Sequence, residues 1–331
     1  MKPFRTTAVP VKLTQVATAS TKGWVELPGF LYSSPQLRNI IGSRIVPNGC
    51  PDSDILRNTH VANTSARSND LPDFRNPPLN EVVLGIQFNP LVGYQQIRAG
   101  EIWGLFRKEF PKSQEHPPIA PLFETFGLPT MGNPFGFITG APHSRFWFLR
   151  PDEDELIQFQ PDRLLHNWRK VGDETNEYPR FESMVDRFRN EVDLVEKYLN
   201  GLAPQDLTIN QCEVSYINHI VPSAGKPLVA SDWFRFLNFG SSEPDDFTSS
   251  FREVIVDADN TPQGRLICEA SIGVKADRQR ILILSLTVRG APRQSTVESA
   301  FDFLSKGRNR IVRKFVELTT DVAHTKWERA K

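Results

Sequence analysis

The densest grouping of residues able to hold a ligand is Asp162-Arg163-Leu164-Leu165-His166-Asn167-Trp168-Arg169-Lys170. Arg169 and Lys170 can offer charge-assisted hydrogen bonds to a phosphate or carboxylate, with Asn167 beside them and Trp168 as a stacking surface. Arg180 follows just across a polar turn. The competing reading is a strand end, with Trp168 in the core and the charges in water.

A second candidate lies in the C-terminal helix. Its seam reads Val297, Phe301, Leu304, Arg308, Ile311, Phe315, Leu318 and Val322, so Arg308 takes an apolar slot. Gly307 precedes it, and a glycine costs a helix interior about 1 kcal/mol relative to alanine. A buried arginine requires a partner or a ligand. Arg308 therefore either faces a cleft between helix and sheet or snorkels its stem to the helix edge. Together with Arg310, Arg313 and Lys314 it forms the best local basic patch, a candidate nucleic-acid contact. A solvated helix face explains these charges equally well.

Other chemistry finds no signature. The chain has no GxSxG, GxxxxGK[ST], strand-linked GxGxxG or HExxH pattern. His166, His219 and His324 share no ligand spacing, so neither a metal nor a cofactor is expected. Asp152 to Glu155 read as a solvated turn. The balance favours a non-catalytic protein over an enzyme.

Composition narrows the class. The 331 residues carry 39 basic and 39 acidic side chains, so no global field draws the chain to nucleic acid or an acidic membrane. That makes nucleic-acid binding the weakest reading. Three cysteines without CxxC spacing predict a reducing compartment, and no apolar run is long enough for a membrane span or signal. The cytoplasm is the expected location. The 23 phenylalanines predict a Phe-rich core or surface.

The elements that would position these groups follow from periodicity. Residues 1–75 read as an extension, largely disordered or a docking arm. Alternation predicts strands at 81–88, 145–149, 156–160, 212–220, 251–256, 265–274 and 281–288. Helical stripes fall at 97–110 and 181–199, a short helix at 232–239, and the longest helix from Ser295 to about Trp327. Residues 112–143 look loop-like. The two halves repeat one order of parts. The expected fold is α+β, with two similar lobes at 76–203 and 204–331 and a possible internal duplication. Each lobe would be an antiparallel sheet covered by long amphipathic helices.

The ordered motifs Asn76-Pro-Pro-Leu-Asn-Glu-Val-Val, Leu156-Ile-Gln-Phe-Gln-x-Asp-Arg, Asn167-Trp-Arg-Lys and Tyr178-Pro-Arg-Phe precede a C-terminal helix ending near a tryptophan. In this the chain resembles a sporadically distributed family of uncharacterised bacterial and archaeal proteins, over about 76–331. The resemblance implies a stand-alone accessory gene, by analogy defence-associated or part of a toxin–antitoxin pair. The expected function is then protein–protein regulation, with a protein partner or a homodimer. The alternative is a small-ligand or nucleotide binder, or an enzyme, whose pocket is lined by Arg308 and the Asn167–Lys170 cluster.

Overall fold

The computed structural model describes residues 70–127, 144–222 and 225–331. The expected extension therefore lies outside the described residues up to position 69. Leu71 and Phe74 are already buried, so order begins before Asn76.

The strands are β1 (Leu79–Phe88), β2 (Lys112–His116), β3 (Arg145–Leu149), β4 (Glu155–Gln160), β5 (Arg163–Arg169), β6 (Ile209–Ile220), β7 (Thr248–Val256), β8 (Pro262–Val274) and β9 (Arg280–Gly290). They form one nine-stranded sheet in the order β2-β3-β4-β5-β1-β6-β9-β8-β7. Every neighbouring pair is antiparallel.

This overturns the expected pair of lobes, each with its own sheet. β1 and β6 lie side by side, from Glu81 opposite Ile217 to Gln87 opposite Gln211. The reason is burial on both faces: every residue of β1 from Val82 to Phe88 is buried. Such a strand belongs in the middle of a sheet, with a neighbour on each side. The described residues accordingly belong to a single compact unit.

The expected cover of long helices over each lobe is overturned as well. Among the described residues only α2 (Phe181–Leu202) and α3 (Val297–Leu318) are long, and both serve the same sheet. α1 (Ala99–Phe106) and α4 (Asp321–Lys326) are short. The helix-side core joins Val82, Leu84, Ile86 and Phe88 of β1 to Phe188 and Val192 of α2 and Phe301 and Leu304 of α3. Phe188 and Phe301 meet with ring centroids 5.6 Å apart.

Gly307 has a packing reason. A Cβ there would fall 2.7 Å from Val214 Cγ1 and 3.1 Å from Val288 Cγ1, so α3 presses its backbone onto β6 and β9. The helix ends well before Trp327. Thr319 and Thr320 are extended, and the Thr320 hydroxyl accepts from Ala323 N to cap α4. Val322 thereby leaves the seam and is 69% exposed. Thr296, one residue after the expected cap, accepts from Ser299 N.

Two further expectations fail. Within the apparent loop 112–143, Lys112–His116 form edge strand β2, which is polar and exposed and so shows no apolar alternation. The helix expected at 232–239 is a single 3-10 turn, Ala230–Asp232, after which Phe234 bridges to Thr319.

Candidate functional site

The sheet's pleat divides the cluster that looked most promising. Successive strand residues point to opposite faces, so consecutive positions of β5 cannot share a site. Trp168 faces the helices and is buried against Tyr178, ring centroids 5.1 Å apart. Asn167 faces the other side, accepts from Gln158 Nε2 at 2.9 Å and donates to Glu81 Oε1 at 2.7 Å. Arg169 donates from Nε to the Glu153 carbonyl and lies 5.6 Å from the Trp147 ring centroid. Lys170 donates to the carbonyls of Glu174 and Asn176, tying down the turn before α2.

Arg180 and Arg308, 128 positions apart by their numbers, do come together. They line a cleft of about 90 Å³ where the start of α2, the middle of α3 and the sheet meet. The floor is Leu79, Tyr216, Asn218 and Leu286, and α3 adds Ile311, Val312 and Phe315. Pro72, Asp73, Phe74, Tyr178 and Phe181 also line it.

Arg308 is 7% exposed. Its Nη2 donates to the Glu182 carboxylate, and its guanidinium carbon lies 4.6 Å from the Phe181 ring centroid. Nε is buried and has no hydrogen-bond partner. The seam position thus holds a paired arginine at a cleft, the first of the two arrangements open to it. The Tyr178 and Tyr216 hydroxyls are 3.0 Å apart. Burial and then Tyr216 push the Tyr178 phenol well above its ordinary range, so it stays neutral.

Arg180 enters α2 at φ 71°, ψ 153°. That region is almost confined to glycine and costs about 1–3 kcal/mol. Its side chain reaches Asp73 at 3.4 Å. Strain of this kind at the mouth of a cleft is characteristic of binding sites.

The basic patch on α3 is largely neutralised. Arg310 pairs with Glu253 at 2.8 Å, Arg313 with Asp70 at 2.6 Å, and Lys314 with both Glu253 and Glu317 at 2.6 Å. A nucleic-acid surface built on these residues would have to break those pairs.

Tyr178, Glu182, Tyr216 and Asp73 escaped the sequence reading. The first had a signal, since it opens the Tyr178-Pro179-Arg180-Phe181 motif. The sequence also missed a buried charged group beneath α2. His166 Nδ1 lies 2.9 Å from Glu191 Oε1, its Nε2 lies 3.7 Å from Glu155 Oε2, and Arg187 pairs with Glu155. His166, Glu155 and Glu191 are buried while Arg187 reaches the surface, and the set anchors the helix to the sheet.

Among the described residues, no group of three or more His, Cys, Asp or Glu side chains is placed to hold a metal, and no helix is long and apolar enough to cross a membrane. Comparison with protein-family models, curated proteins and solved structures finds no match to this chain.

Proposed function

We propose that the protein binds a small uncharged aromatic molecule in the cleft beside Arg308, one that both accepts and donates hydrogen bonds. Nucleobases have this chemistry. The observation that carries the reading is the Arg308 Nε–H, buried and without a partner at a cleft whose walls are largely apolar. Leaving a buried donor unmade costs about 1–3 kcal/mol, which an accepting ligand atom removes. Glu182 stands ready to accept from the ligand, and Tyr178, Phe181, Phe74 and Phe315 provide flat apolar walls. Cations and anions balance at the cleft, Arg308 and Arg180 against Glu182 and Asp73, which favours a neutral ligand. Residues of two motifs, Pro77 and Tyr178 to Phe181, converge here. Pockets of this kind combine apolar lining with a few convergent polar groups.

Saturation-transfer NMR with uracil, adenine and benzamide tests the reading. At least one should receive transfer, and Arg308→Met and Val312→Trp, which fills the cleft, should both abolish it. Absence of transfer to all three, or unchanged transfer in Val312→Trp, refutes the proposal.

A protein partner is the second reading, favoured by edge strand β7. Val254 and Val256 are exposed there, next to the charged Arg252 and Glu253, and the open backbone edge of such a strand can accept an added strand. Val254→Lys should then abolish any self-association seen by sedimentation velocity.

A further inference from the structure

The face of the sheet opposite the helices carries a buried cation that no carboxylate among the described residues balances. Arg145, on β3, is 3% exposed. Its Nη1 donates to Gln158 Oε1 at 2.5 Å, while Nε and Nη2 have no hydrogen-bond partner. Those two nitrogens form one edge of the guanidinium, the planar fork that meets both oxygens of a carboxylate.

The surroundings are positive. Burial and then Arg163 bring the Arg145 guanidinium down to about 10, and among the described residues no carboxylate opposes them. His116 sits directly opposite Arg145 on β2, and its pKa is lowered by burial, then by Arg145 and Arg169. The Trp147 ring is shared by these groups. His116 packs 4.1 Å from its centroid, with Arg145 at 5.5 Å and Arg169 at 5.6 Å. The nearest acid in the hydrogen-bond chain, Glu81, is reached only through Gln158 and Asn167, and burial raises its pKa. The group lies one strand in from exposed edge strand β2.

An unopposed buried charge is strongly unfavourable unless an opposite charge joins it. We propose that the free edge of Arg145 is a binding site for the carboxylate of a small organic acid, with the Trp147 ring against the acid's body. This site is on the opposite face from the Arg308 cleft and independent of it.

Isothermal titration calorimetry on the full chain in a chloride buffer tests the assignment, with acetate, benzoate and inorganic phosphate as probes. Benzoate should bind saturably and more tightly than acetate, because only benzoate reaches the ring. Arg145→Met should weaken it at least about tenfold. Arg145→Lys should also weaken it, since the charge remains but the fork is lost. Arg308→Met should leave it unchanged. Without added acid, Arg145→Met should unfold at the same urea concentration as the parent or higher. Three results would overturn the proposal: no carboxylate binding, binding of phosphate alone, or benzoate affinity unaltered in both Arg145 variants. A marked loss of stability in acid-free Arg145→Met would overturn it too, because the chain itself would then be holding the charge.

Discussion

The Arg308 guanidinium stacks on the ring of Phe181 at 4.6 Å while one of its amino groups is held by Glu182, the next residue along. Two consecutive positions at the start of α2 thus fix one side chain from the middle of α3, and they tie the two long helices together at the cleft.

That tie makes Glu182→Gln a more damaging change than its partial exposure suggests. It leaves Arg308 buried without its counter-charge. We expect a loss of about 2 kcal/mol, below the range for fully buried pairs because Glu182 is partly in water. Adding Arg308→Met should recover part of the loss. A double-mutant cycle from urea unfolding should give a coupling of about 1 kcal/mol or more. A coupling near zero would show that the pair contributes nothing.

Arg180→Gly should raise stability while harming binding. Glycine relieves a conformation costing about 1–3 kcal/mol, and the exposed pair with Asp73 that it removes is worth about 0–1 kcal/mol. Extra freedom in the unfolded chain offsets part of the gain. The unfolding midpoint should therefore rise slightly, and transfer to the cleft ligand should fall. A destabilised glycine variant would contradict the strain read at this residue.

Gly307→Ala should destabilise the protein although alanine is the better helix former. The gain of about 1 kcal/mol in propensity is set against overpacking of about 1–3 kcal/mol, because Val214 stands 2.7 Å from the new methyl. Adding Val214→Ala should restore most of the loss. Thermal melts of the single and double variants decide the matter.

Two histidines should give opposite pH dependences. Burial first, with Lys275 helping and Glu174 opposing, lowers His219 to about 4. Its unfolded value is about 6.5, so its contribution is complete above pH 6.5 and is lost as the pH falls towards 4. For His166 burial acts downwards, but Glu191 and then Glu155 outweigh it, with Arg187 opposing, and the net direction is up. That contribution is complete below pH 6.5 and is lost as the pH rises through the folded value. Urea midpoints at pH 5 and pH 8 should show His219→Gln gaining relative stability at pH 5. His166→Gln should lose most there. Parallel profiles for both variants would refute the assignment.

What the sequence disclosed was local. Val82, Leu84, Ile86 and Phe88 announced a strand because alternation records which face is buried, and the stripe from Phe181 to Leu199 announced α2 in the same way. Alternation does not name a strand's neighbours, so the pairing of β1 with β6 was invisible and one sheet was read as two. The site was half legible. Arg308 stood out because a charge in an apolar seam is anomalous on its own helix. Its partner Glu182 lies 126 positions away, and Tyr178 and Tyr216 are 38 apart, so no spacing encodes their meeting. Asn167 to Lys170 misled because adjacency in a strand separates side chains. Arg145 gave no signal, being one arginine before an apolar run.

The seam between β1 and β6 bears on how this protein can be cut. Severing the backbone near position 204 would leave each fragment with a long apolar strand stripped of its central neighbour, and neither piece would be self-sufficient. The same complementary edges give the two fragments a built-in address for one another, so co-expressed halves should zip back into a working whole and could serve as a split reporter.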